Sequence, residues 1–157
     1  MDAPKFGFSG SHPDYNSILV TNGDPFWPDV DVGDFRRQRA LPTTVQDDTL
    51  GHALLNAMGE LNLNLKDVVT HWTQRGINHA NDVPGGKMGE VSQLTAQYKK
   101  ALYARAKADL VGEFAITGRR DTHPALGDDE ARQRLLGEAA MTLRNMLQLP
   151  RVGVFSV

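Results

Sequence analysis

The side chains of this chain best suited to metal or acid–base chemistry are five histidines, His12, His52, His71, His79 and His123. No two of them stand four apart, the spacing that sets two ligands on one helix face. His-Glu-x-x-His is absent, and so is the carboxylate-rich pattern of a di-iron bundle. His71 and His79 flank the end of one helical segment, where polar capping accounts for them. Gly85-Gly86-Lys87-Met88-Gly89 has the residue types of a phosphate loop but neither its spacing nor a preceding strand. Gly-x-Ser-x-Gly is missing. Phe8-Ser9-Gly10-Ser11 lies in a breaker-rich arm that cannot hold a nucleophile in place. With no cysteine there is no thiolate nucleophile, disulfide or cysteine zinc site. The residues therefore predict no enzyme, no metal and no cofactor.

Charge narrows the classes further. The formal net charge is −2, and a nucleic-acid coat needs a cationic surface to neutralise phosphates. Arg36, Arg37 and Arg39 cluster, as do Lys99 with Lys100 and Arg119 with Arg120. Each group is short and balanced by nearby acids, which fits a solvated face or a subunit contact. A small helical DNA-binding or regulatory protein is the alternative reading of these clusters. No apolar run approaches the roughly 20 residues that cross a bilayer. Met1 to Phe8 lacks the apolar stretch of a secretory signal, so synthesis and use in a cytoplasm are expected.

The elements that must position these side chains follow from periodicity. At 157 residues, 40% hydrophobic and 23% charged, the chain fits one folded domain with a real core. Pro4, Pro13, Pro25 and Pro28, with Gly7, Gly10 and Gly23, predict an extended arm over residues 1–30. Within it Ile18 to Thr21 is an apolar, β-branched run, and Asn22-Gly23-Asp24 reads as a turn. Phe26 and Trp27 are large apolar residues in a polar setting, suited to anchoring the arm on the helical body or on a neighbouring subunit. Asp31 reads as the N-cap of a short helix to Ala40. A second helix is expected from Thr44 to Arg75, stopped by Gly76, with Leu50, Leu54, Met58, Leu61, Leu65, Val68 and Trp72 as its stripe. A third runs from Glu90 to Thr117 on Val91, Leu94, Tyr98, Leu102, Ala106, Leu110 and Phe114. A fourth starts at Gly127 or Asp128, and two adjacent apolar rows give it an unusually wide face. The expectation is an all-α fold: an antiparallel bundle of three long helices and one short one over residues 31–149.

Pro150 stops the last helix, and residues 150–157 switch to strand chemistry. Val152, Val154 and Ser156 would face one way, and Arg151, Gly153, Phe155 and Val157 the other. A lone strand leaves its backbone donors and acceptors unmatched, so it invites the sheet edge of another protein.

Three landmarks in order carry a resemblance: Phe26-Trp27-Pro28-Asp29-Val30-Asp31 before the short helix, Asp82-Val83-Pro84 between long helices, and Pro150-Arg151-Val152 at the end. On a helical frame, over about residues 25–157, they resemble the head completion/stabilisation proteins of contractile-tailed bacteriophages. The resemblance implies an adaptor ring, a dodecamer in related adaptors, that binds the portal after DNA packaging, retains the genome and forms the tail-docking surface. It implies a virion location at the head–tail junction. The implied partners are the portal, a tail-terminator or other neck protein, and further copies of the chain, with DNA passing through unread and no membrane involved. Val152, Val154 and Phe155 become the portal-contacting side chains and Arg151 their polar anchor.

Overall fold

The computed structural model describes residues 17–116 and 129–149. Expectations placed on the first arm residues, on residues 117–128 and on the C-terminal strand fall outside them.

The chain enters through β1 (Leu19–Val20), paired antiparallel with β2 (Val30–Asp31). Leu19 stands opposite Asp31 and Val20 opposite Val30. Val32 N donates to Ile18 O at 2.9 Å, extending the ribbon by one rung. Asp31 then caps α1 (Val32–Gln38) from an extended backbone, its Oδ1 accepting from Asp34 N at 3.0 Å. The helix stops two residues short of the expected Ala40. Ala40 sits at φ 50, and Leu41 N and Ala40 N donate back to Arg36 O and Arg37 O. That is a Schellman closure with alanine in the left-handed position that glycine normally fills.

The expected second helix is two helices, α2 (Asp47–Asn64) and α3 (Lys66–Thr73), separated at Leu65 with φ −103 and ψ 13. Leu61, Leu65 and Val68 stay buried across the break, so the apolar stripe is continuous although the helix is not. Asn62, just before the break, is bonded through its side chain to Asn22 and Tyr98 in distant segments. Gly76, at φ 80, ends this segment. A single 3₁₀ turn (Ala80–Asp82) follows, then β3 (Lys87–Met88) and β4 (Val91–Ser92). Met88 pairs with Val91 across Gly89-Glu90, with Gly89 at φ 58 in the left-handed region that tight hairpin turns require.

The expected all-α bundle is thus overturned. Among the described residues the chain is mixed α/β: five α-helices with two two-stranded antiparallel sheets. Each ladder is two residues long, too short to leave an alternation in the sequence.

The last two helices are α4 (Gln93–Ile116) and α5 (Asp129–Met146). α4 is the axis of the molecule, packing most extensively on α5 and next on α2. Tyr98, Leu102, Tyr103, Leu110 and Val111 are buried along it. Ala101, Ala104, Ala106 and Ala108 are buried between them, and their small size lets neighbouring helices approach. At about 25 cal/mol per Å² of apolar surface, this burial is the main driving force for the fold.

Candidate functional site

The Asn22-Gly23-Asp24 turn is drawn into a buried polar and aromatic node that fastens the β1–β2 loop to α2 and α4. Asn22 Nδ2 donates to Pro28 O at 3.1 Å and to Tyr98 Oη at 2.8 Å. Asn22 Oδ1 accepts from Asp24 N at 3.0 Å and from Asn62 Nδ2 at 2.9 Å. Tyr98 Oη in turn donates to Asn62 Oδ1 at 2.8 Å. Three side chains from three distant segments thereby satisfy one another, as buried polar groups require. Asp29 Oδ1 accepts from Asn22 N, and Asp24 Oδ1 from Phe26 N, which set the course of the loop. Burial raises the Tyr98 phenol well above its ordinary range, outweighing the Asn22 hydrogen bond, so it serves as a neutral donor.

Phe26 and Trp27 lie at this node, 3% and 2% exposed within their own chain. Trp27 stacks on Tyr98 at 4.5 Å between centroids and 10° between planes, and Phe26 meets Trp27 edge-on at 4.8 Å. Phe26 O accepts from Ala80 N at 2.8 Å, tying the loop to the 3₁₀ turn. Trp27 Nε1 is buried with no acceptor. A groove of about 580 Å³ opens beside these residues, edged by Pro25, Asp29, His79 and Asp82.

The basic cluster near α1 separates into three roles. Arg36 is buried, donating to Pro42 O, Val45 O and Asp47 Oδ1, so it shapes the loop between α1 and α2. Arg37 is exposed and pairs with Asp34. Arg39 makes a two-pronged bridge to Glu138 on α5, at 3.1 and 2.9 Å. Lys107 Nζ donates to Arg39 O at 3.0 Å. The Arg39 hydrogen bonds hold the Glu138 carboxyl below its ordinary value against the opposing effect of burial. Burial, then the Arg39 charge, lowers Lys107. One turn earlier on α4, Tyr103 Oη donates to Asp34 Oδ2 at 2.7 Å, and burial raises that phenol. These are joints between elements, and they leave two of the three arginines committed inside the chain.

The histidines do not converge. His71 meets the Trp72 ring edge-on, and His79 Nδ1 lies 3.2 Å from Pro25 O. Asp48 precedes His52 by four residues, and Asp67 precedes His71 by four. Among the described residues neither pair gains a third ligand: no group of three His, Asp or Glu is placed to hold a metal ion. No helix among them is long and apolar enough to cross a membrane. Arg151, Val152, Val154 and Phe155 lie outside the described residues. The sequence reading missed Asn22, Asn62 and Tyr98 as a unit. Its one available signal was an Asn-Gly-Asp turn placed before two large aromatics.

What these contacts build is a set of helices and loops joined by buried polar and aromatic side chains. The chain belongs to the phage head completion protein family (GPL), whose model matches residues 20–157. It is a structural protein of the bacteriophage virion. A relative in Haemophilus phage HP1 (strain HP1c1), described as a probable head completion/stabilization protein, is 30% identical over 139 residues, 88% of this chain and 92% of its own. No solved structure matches the chain.

Proposed function

We propose that the chain is the adaptor that completes the filled head: it assembles as a ring on the portal after DNA packaging, retains the genome and presents the surface on which the tail docks. The observation that carries this reading is the family match, which runs to the last residue and so includes the strand-like tail. The relative's description joins stabilisation to completion in one protein. The tail is the portal-binding element. Its backbone adds a strand to a portal sheet, Val152, Val154 and Phe155 supply the side-chain fit, and Arg151 is the polar anchor. Many weak strands acting together in a ring give strong attachment through avidity. Phe26 and Trp27 act within the subunit, seating the β1–β2 loop on the helical body.

The test is capture by purified portal of the full chain and of a variant lacking residues 151–157. The truncated protein should melt like the full chain yet lose capture. Equal capture of both would remove the tail from portal binding.

A further inference from the structure

Asn22 precedes Gly23, and every other asparagine of the chain precedes a residue that carries a side chain. Asparagine is chemically labile, and an Asn-Gly pair is the most open to self-modification, because no side chain shields the glycine nitrogen. That nitrogen attacks the asparagine Cγ and gives up its proton. A C–N bond forms, Nδ2 leaves as ammonia, and a five-membered succinimide results. Water then opens either carbonyl of the ring and leaves aspartate or isoaspartate. No other reagent is needed.

Neither backbone nor packing requires glycine at position 23. Its φ lies outside the left-handed region, and a Cβ there would meet nothing within 4 Å. The fold instead controls the asparagine, which is 7% exposed. Its Nδ2, the leaving group, donates to Pro28 O and Tyr98 Oη, and its Oδ1 accepts from Asp24 N and Asn62 Nδ2. These four bonds fix the plane of the carboxamide, so Cγ cannot turn onto Gly23 N while they hold. Breaking them means lifting the β1–β2 loop from α2 and α4, a local opening that does not require the whole chain to unfold.

The product cannot close again in the same way. A carboxylate has no hydrogen to give Pro28 O or Tyr98 Oη. It also brings a negative charge into a buried place, where Asp29 already accepts from Asn22 N. Isoaspartate further lengthens the loop backbone by a carbon.

We propose that Asn22-Gly23 is a site of spontaneous, one-way modification gated by the node. It is inert while the loop is seated, converts when the loop lifts, and cannot reseat afterwards. The proposal rests on contacts within one subunit and is independent of ring assembly.

The full chain is aged in mildly alkaline buffer below its melting transition, and in denaturing urea, and residues 22–23 are followed by peptide mapping with mass spectrometry. The denatured chain should convert, and the folded chain should convert at least about tenfold more slowly, since four hydrogen bonds must open together. Tyr98→Phe and Asn62→Ala each remove a partner from the node without altering the Asn-Gly pair. Each should speed conversion of the folded chain severalfold, with circular dichroism showing that it is helical before ageing. Gly23→Ala should slow conversion in urea and leave the melting temperature of fresh protein in place. The aged unaltered chain should melt below the fresh one, and aged Gly23→Ala should not. Equal rates in the folded and denatured chains, or a folded rate that neither node variant raises, would overturn the gating. No conversion in urea would remove the site itself. Converted protein that melts like fresh protein would overturn the one-way step.

Discussion

Asn22→Ala removes the hub of the node and tests whether the β1–β2 loop is held by this polar unit. Four side-chain hydrogen bonds are lost, two donated to Pro28 O and Tyr98 Oη and two accepted from Asp24 N and Asn62 Nδ2. At about 1 kcal/mol net for each bond, and with some of the stranded partners regaining water, the loss should be about 2–4 kcal/mol. For a chain of this size that lowers the melting temperature by roughly 5–15 °C. Tyr98→Phe removes the Asn22–Tyr98 bond by the other partner and also strands Asn62 Oδ1. The double variant should therefore lose less than the sum of the singles, with a coupling of about 0.5–3 kcal/mol. Thermal unfolding followed by circular dichroism measures all four proteins, and their helical signal before melting should agree. A loss from Asn22→Ala below about 0.5 kcal/mol, or strict additivity, would refute the node as a cooperative unit.

Three other perturbations follow from the same structure. Trp27→Ala empties a buried site stacked on Tyr98 and should cost about 3–5 kcal/mol; an unchanged denaturation midpoint would contradict that placement. Ala40→Gly relieves a left-handed alanine in the closure of α1 and should stabilise by about 0.5–1 kcal/mol, with a lower midpoint counting against it. Glu138 titrates below its ordinary 4.5 in the folded chain because of Arg39. Its contribution is present above that value and is lost as pH falls through the depressed one. Stability measured from neutral pH downward should accordingly fall less steeply for Glu138→Gln than for the unaltered chain, and parallel curves would remove Glu138 from the acid response.

How far the fold was legible depended on whether its cause was local. Asp31 as a cap, Gly76 as a stop and the stripes Leu50 to Val68 and Leu94 to Leu110 are written within a few residues and stand where their patterns put them, whereas Val91, expected to open the third helix, lies in β4 and that helix begins at Gln93. The break at Leu65 was not legible. Leu61, Leu65 and Val68 keep helical spacing across it, while Asn62 is bonded to Asn22 and Tyr98, distant in sequence. The two sheets were missed because a two-residue ladder has no period, and Gly85 to Gly89 was weighed as connection and turn chemistry and as a phosphate loop, not as part of a hairpin. Arg36, Arg37 and Arg39 looked like one cluster because they are neighbours in sequence. A helix turns about 100° per residue, which sends Arg36 into the core, Arg37 to solvent and Arg39 towards α5. The node at Asn22 was hidden for the same reason as the helix break: its partners come from three separate segments.

Electron cryomicroscopy of completed heads, with and without this protein, tests the proposed role most directly. The account predicts added density as a closed ring at the portal vertex, in contact with the portal through one strand per subunit, and heads lacking the protein that lose their DNA. Density spread over the capsid shell, or an unchanged portal vertex in heads that contain the protein, would contradict it.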